Sequence, residues 1–301
     1  MASAAKYSKK IKKSRADRIF DIFMYSIAIL LIVITLYPMY FIVIASFSNP
    51  AEVGLGHVLV LPKGLNVKAY EHLFGYKQLW IGYRNTIFYA IFGALITLAV
   101  NIPAGFVLSR KELPGKKGLT VFFLISMFFS GGMIPTYLVV QQFNLTDTIW
   151  VMLIPFAVSA YYIIVARTFF SNSIPEDLWD AAQIDGCGTL QYFFQIVLPL
   201  SKAVIAVIGL WAAVGQWNSY FNALIYLRDE NLTTLQLVLR SILINSQTTQ
   251  LMPGALPNEI RQLSDLLKYA SIVVSSLPIM CLYPFVQKYF NQGVMLGSVK
   301  G

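Results

Sequence analysis

Charge is what this chain of 301 residues has least of: Asp, Glu, Lys and Arg make up 12% of it, and 57% is hydrophobic. A soluble domain carries about 25% charged residues, so a solvated globular surface of ordinary composition is excluded. Histidine and cysteine number two each. His57 and His72 are too few for a zinc site, and no H-E-x-x-H run occurs. Cys187 and Cys281 lie far apart and imply neither a disulfide framework nor a metal site. No G-x-x-x-x-G-K-[ST] run is present, and Gly115-Lys116 lacks both the upstream Gly and the following Ser or Thr. A chain without that phosphate cradle does not hydrolyse ATP itself. Nucleophile–base pairs of the hydrolase kind are also not evident, so the chain reads as non-enzymatic and without a cofactor or metal of its own.

What is present is apolar length. Six runs, near 20–46, 85–108, 119–140, 149–170, 201–227 and 269–290, are long enough for a hydrocarbon core that takes ~20 residues to cross. The expected fold is all-α and polytopic, with about six transmembrane helices. Pro38, Pro103, Pro135, Pro155 and Pro278 fall inside these runs, where each frees a carbonyl that a neighbouring helix or water must satisfy. The net charge of +9 gathers at the N-terminus, where Lys6, Lys9, Lys10, Lys12, Lys13, Arg15 and Arg18 precede the first apolar run. This points to a membrane anchor side and not to nucleic acid. The first run is too long for a cleavable signal peptide and has no small-residue cleavage site. With that end inside, fifteen basic residues fall on inner segments and eight on outer ones, although the outer loops are longer. The asymmetry agrees with the positive-inside rule. The expected organisation is a basic cytoplasmic tail at 1–18, a membrane domain at 19–290, and a cytoplasmic C-terminal tail at 291–301. The expected location is a bacterial plasma (inner) membrane.

No Asp, Glu, Lys or Arg is clearly placed mid-span, which points away from ion-coupled carriers. The fifth run instead places Gln216, Trp217, Asn218, Tyr220 and Asn222 at membrane depth. Buried amides in lipid need partners. Amides beside aromatic rings suit a sugar, with its hydroxyl rim and flat C–H face, and they equally suit contacts between helices. Residues 218 and 222 are one turn apart, so their side chains are expected to share a face. Tyr161 and Tyr162 in the fourth run carry the same two readings.

The stretch from Ser173 to Pro199 is the polar interruption around which the rest is arranged. Ser173 and Glu176 have capping-box spacing, and Pro175 and Asp177 suit a first turn. Ile174, Leu178, Ala181 and Ala182 share a helical face. Gly186 suits a C-cap. Leu190, Phe193, Phe194, Val197 and Leu198 form a second face that Pro199 should end. The expected product is a stiff helix–Gly–helix knob between two spans.

Asp180-Ala181-Ala182-x-x-Asp185-Gly186, followed by Ile196-x-Leu198-Pro199, resembles the Glu-Ala-Ala loop of binding-protein-dependent ABC importer permeases. Asp180 stands where that loop usually has Glu, and Cys187 where a small Ala is common. Other stretches are similar to the carbohydrate-uptake permeases related to the maltose importer's smaller membrane subunit. They are Phe129-Ser130-Gly131-Gly132-x-Ile134-Pro135-Thr136-Tyr137, Asp147-Thr148-Ile149-Trp150, Arg167-Thr168-Phe169-Phe170 and the ending from Gly293 to Gly301. The nearest subgroup is that of lipoprotein-linked and polysaccharide permeases, which includes an alginate importer subunit. The resemblance implies a type I importer permease fold. It implies as partners a second permease, two copies of an ABC ATPase that hold ATP and Mg, and an extracytoplasmic solute-binding protein. It implies that Asp180, Ala181, Ala182, Asp185, Gly186, Leu198 and Pro199 seat on the ATPase. It also implies that 245–261 faces the binding protein and that the 291–301 tail reaches the ATPases. A permease for a non-sugar solute, and a secondary carrier or channel, are the competing readings.

Overall fold

The computed structural model describes residues 14–250 and 263–281, the side chains of 245–250 excepted. The basic cluster from Lys6 to Lys13, most of the 245–261 loop and the 291–301 tail lie outside the described residues. Every regular element among the described residues is a helix.

The chain divides into two compact units, 1–67 and 68–301. The first holds α1 (Arg15–Ser46) and α2 (Pro50–Gly54). α1 starts with a reciprocal capping box between Ser14 and Asp17, which satisfies two otherwise orphaned N–H groups. Its 32 residues exceed the span of a bilayer, and large apolar side chains are exposed along most of it. That is the pattern of a helix solvated by lipid. Pro38 is accommodated inside it.

In the second unit, α3 (Lys68–Gly75) precedes α4 (Lys77–Ser109), a 33-residue helix buried on several faces. The buried positions of α4 are largely small: Gly82, Thr86, Ala90, Gly93, Ala94, Thr97, Asn101 and Gly105. Lipid offers no hydrophobic drive between helices, so small residues that admit close backbones decide where helices meet. At Gly105 a Cβ would lie 2.5 Å from the Cβ of Ala166, so only glycine permits this crossing.

The third expected span is two helices, α5 (Lys116–Phe128) and α6 (Met133–Gln142), bent by 111° at the Phe129–Gly132 break. Pro135 therefore sits in a first turn, where it costs no hydrogen bond. The fourth expected span is also divided, into α7 (Ile149–Leu153) and α8 (Ala160–Ser173), with Pro155 in the break. After α9 (Asp177–Ile184) come α10 (Thr189–Leu200) and α11 (Lys202–Trp217), bent by 81° at Ser201. The fifth run breaks at Asn218-Ser219, before α12 (Tyr220–Tyr226). α13 (Leu235–Gln250) and α14 (Leu263–Cys281) complete the described chain. α14 begins ahead of the expected residue 269 and contains Pro278.

Of the described helices, α1, α4 and α14 are each long and apolar enough to cross a membrane. The bent pairs α5–α6 and α10–α11 qualify as broken spans. Breaks at Gly, Pro and Ser divide the third, fourth and fifth of the expected runs, and the sixth falls within the described residues only as far as Cys281. α4 is the spine. Its C-terminal half packs with α8, α9, α10 and α11 around Phe106, Phe170 and Tyr192. Its N-terminal half meets the 231–235 segment through the Asn85 amide, which donates to Asn231 O and Thr233 O, and through Thr86, whose hydroxyl accepts the Leu235 N–H.

Candidate functional site

The polar interruption folds as a knob. Ser173 remains in the last turn of α8, and Ile174, which precedes Pro175, is extended. A residue before proline disfavours the helical region, so the chain turns there. The expected capping box between Ser173 and Glu176 does not form, and Glu176 makes no side-chain cap. Its carboxylate instead pairs with Lys111 in the α4–α5 loop. The buried stripe of α9 is Trp179 and Ala182, with Ile174 partly buried beside it. Leu178 and Ala181, expected on that stripe, are exposed. The Trp179 ring carries more apolar area than Leu178 or Ala181, and it selects the inward face. Its edge meets Tyr192 with ring centroids 4.9 Å apart.

α9 ends in a Schellman motif. Cys187 N–H donates to Ala182 O at 2.9 Å and Gly186 N–H to Gln183 O at 3.0 Å. Gly186 has φ of 75°, the left-handed conformation that glycine adopts without a Cβ penalty. Of the named loop residues, Asp180, Ala181, Asp185, Gly186 and Pro199 are exposed, Leu198 is half-buried and Ala182 is buried. Ile184 and Leu190 stand 87% and 75% exposed on the same loop.

The second helix does not end at Pro199. It runs to Leu200 through a π-turn at Phe193–Val197, in which Leu198 N–H reaches back five residues to Phe193 O. The widened turn keeps the Pro199 ring clear of the Gln195 carbonyl, the clash an α-turn would impose. Phe193 and Val197 are buried, whereas Leu190 and Phe194 of the expected face point outward.

A feature not anticipated from the residues is how the knob is fastened. Arg110, the C-cap of α4, lies over Trp179 with 4.5 Å from its guanidinium carbon to the ring centroid, and 5.9 Å from each of Phe106 and Tyr192. Its Nη2 donates to Glu112 at 3.1 Å. The Glu112 carboxyl is held below the usual carboxylate range, first by its own backbone N–H and also by Arg110. The one available signal was Arg110-Lys111 directly after an apolar run, with a lone Trp in the knob.

The five candidate path residues separate. Gln216 donates to Met152 O at 2.9 Å, and Trp217, 5% exposed, donates to Ser275 O at 3.1 Å. Both join helices. Asn218 is exposed and turns its amide back to Val214 O. Tyr220 is half-buried under Arg240, 4.6 Å from guanidinium carbon to ring centroid, and Asn222 is half-buried. The helix break at 218–219 removes the premise that Asn218 and Asn222 lie on one continuous helix. Tyr161 and Tyr162 do come together with a third ring, Trp211, at 5.7 and 6.2 Å. Asn218 is the C-cap of α11, seven residues beyond Trp211.

A further buried amide holds the break between α7 and α8. Asn101 donates to Thr97 O at 2.6 Å and Ala157 O at 2.7 Å, and accepts Ser159 N–H at 2.9 Å. The irregular backbone is thereby satisfied from inside the protein, the condition for such backbone at membrane depth. Among the described residues no group of three His, Cys, Asp or Glu side chains could hold a metal ion.

A bundle of broken apolar helices with an exposed, Gly-capped knob between two spans defines a membrane transport subunit, and comparison with known proteins identifies the family. Residues 79–296 match the model of the binding-protein-dependent transport system inner membrane component, and the chain belongs to that family of ABC transporter permeases. It is 36% identical to the polygalacturonan/rhamnogalacturonan transport system permease protein YtcP of Bacillus subtilis over 95% of this chain and 99% of that one. It is 36% identical to Protein LplC of the same organism, over 96% and 97%. Among solved structures it matches a chain of a bacterial ABC transporter involved in the import of the acidic polysaccharide alginate. The TM-score is 0.82 and the identity 32%, covering 93% of this chain and 100% of that chain. The type I permease fold follows.

Proposed function

We propose that this chain forms half of the translocation pore of an ATP-driven importer for an oligosaccharide or polysaccharide. A second permease completes the pore. Two ABC ATPases, which themselves hold ATP and Mg, seat on the 173–199 loop, and an extracytoplasmic binding protein delivers the sugar. The observation that carries this reading is the knob: α9 is fastened inward through Trp179 and Ala182, and it leaves Asp180, Ala181, Asp185 and Ile184 free to be covered. The named relatives support the substrate class, since one transports polygalacturonan or rhamnogalacturonan and another serves alginate import. The loop lies on the cytoplasmic side, with both termini, in agreement with the distribution of basic residues.

In this reading ATP binding closes the ATPase dimer and moves the knob. The fastening at Arg110 and Trp179 transmits the motion to α4. The rings of Tyr161, Tyr162 and Trp211, with Asn218 beyond them, offer sugar-stacking surface along α11. Gln216 and Trp217 position the helices that bear it. Tyr220 and Asn222 line the continuation on α12.

Co-purification tests the reading. The tagged chain is expressed with its neighbouring genes and extracted in mild detergent. An ATPase and a second permease should co-elute, and the ATPase should be lost when Asp180 and Gly186 are both replaced. A chain that elutes alone and still conducts sugar in vesicles would instead be a secondary carrier or channel.

A further inference from the structure

Behind the knob, a cleft of about 170 Å³ opens between the end of α4, the start of α5, α8 and α10. Its polar lining is Ser109, Arg110, Lys111, Lys116, Ser171 and Glu176, with Tyr192 at its wall. Lys116 lies in the field of three like charges, Arg167, Lys111 and Arg110, and one opposite charge, Glu176. With Glu112 paired to Arg110, the neighbourhood holds four cations against two carboxylates. Clustered cations repel one another. Two donors here have no hydrogen-bond partner among the described residues. They are the hydroxyl of Tyr192, a residue with 0% of its surface exposed, and Nε of Arg167. A buried donor left unmet costs free energy, so a site that retains one while concentrating positive charge is matched to an anion.

We propose that this cleft binds a phosphate group, contributed by an anionic phospholipid headgroup or by free phosphate. Lys116, Arg110 and Lys111 supply the charge, and the Tyr192 hydroxyl donates a hydrogen bond. The size admits one phosphate and no sugar chain. Glu176 and Glu112 stay with their partners at the rim and limit the site to a small, strongly charged anion. Because the lining comes from α4, α5, α8 and α10, the bound group ties together the elements that carry the knob.

The test uses the purified full-length chain in nanodiscs of phosphatidylcholine alone and of phosphatidylcholine with phosphatidylglycerol. Inorganic phosphate is titrated against chloride at matched ionic strength, and Tm is read. The variants are Lys116→Gln and Tyr192→Phe. Stabilisation by phosphatidylglycerol, weakened by both variants, assigns the site to lipid. Stabilisation by inorganic phosphate in phosphatidylcholine alone, weakened by both, assigns it to the free anion. Tyr192→Phe removes a hydroxyl that has no partner, so Tm without anion should not fall, whereas the apparent affinity should weaken roughly tenfold. No stabilisation from either source, or stabilisation that Tyr192→Phe leaves unchanged, overturns the proposal.

Discussion

Arg110 closes α4 with its guanidinium stacked 4.5 Å above the ring of Trp179 in the knob. One side chain thus connects the central helix of the second unit to the loop proposed to meet the ATPase. A cation–π contact of this kind ranges from about 0.5 kcal/mol when exposed to about 2 when desolvated. Arg110 is 18% exposed, so its contact belongs toward the upper part of that range. Arg110→Ala should lower sugar uptake several-fold relative to ATP hydrolysis in reconstituted vesicles, and Arg110→Lys should lower it less. Equal behaviour of the two variants would remove the stacking from the mechanism.

Gly186 offers a test of knob stiffness free of steric clash, because no atom lies within 4 Å of a Cβ built there and only the backbone resists. The left-handed conformation costs a residue with a Cβ about 1–2 kcal/mol, and Asn tolerates it best. Uptake should decline in the order Gly, Asn, Ala, Val. If Gly186→Val transports as wild type, a rigid knob is not how force is carried.

At Gly105 the constraint is space. Gly105→Ala drives a methyl onto the fully buried Ala166 and should cost about 1–3 kcal/mol, seen as a lower Tm in detergent. Adding Ala166→Gly should restore only part of the loss, because Arg167 N and Ile163 O still stand 3.0 Å from the new methyl. An unchanged Tm for Gly105→Ala alone would mean that α4 and α8 do not meet there.

Asn101 should tolerate no apolar replacement. Asn101→Leu leaves Ala157 O and Ser159 N–H unmet at a buried site, at about 1–3 kcal/mol each. Reduced yield and a lower Tm are expected. An unchanged Tm would show that the α7–α8 break is held by something else.

Asp147 predicts a pH response. Its Oδ1 accepts the N–H groups of Asp229 and Arg228 at 2.8 and 2.7 Å, and these hold its carboxyl below the ordinary aspartate range. The folded-state pKa lies below the unfolded one, so the stabilisation is present above the unfolded value of about 4 and disappears as pH falls through the lowered folded value. Asp147→Asn keeps a carbonyl acceptor and suits the φ of 58° at this position. Wild type should therefore be more stable than Asp147→Asn near neutral pH, with the difference vanishing in acid. A gap that persists below the folded pKa would contradict this. The group is almost fully exposed, so solvent screening keeps the effect small.

The apolar runs, the position of the knob and its glycine stop were legible because each is a local signal: length, polarity, and a residue suited to positive φ. Family membership was legible for the same reason, since the loop and the stretches at 129–137 and 147–150 are contiguous. The inward face of α9 was not. Ile174, Leu178, Ala181 and Ala182 fit a helical stripe equally well on paper, and Trp179 displaced Leu178 and Ala181 because Tyr192 and Arg110, distant in sequence, built the pocket for its ring. The candidate path divided likewise, since Gln216 and Trp217 found carbonyls on α7 and α14 that no spacing rule names.

Composition and periodicity alone determined that this chain is a helical membrane protein with a polar, Gly-stopped loop, because burial of apolar length and backbone preferences act over a few residues at a time. Tertiary structure decided where the helices break, which side chain locks α4 to the knob, and that four cations converge behind it. Those outcomes depend on contacts between residues such as Lys111 and Glu176, 65 positions apart, and only packing in three dimensions brings such groups within reach of one another.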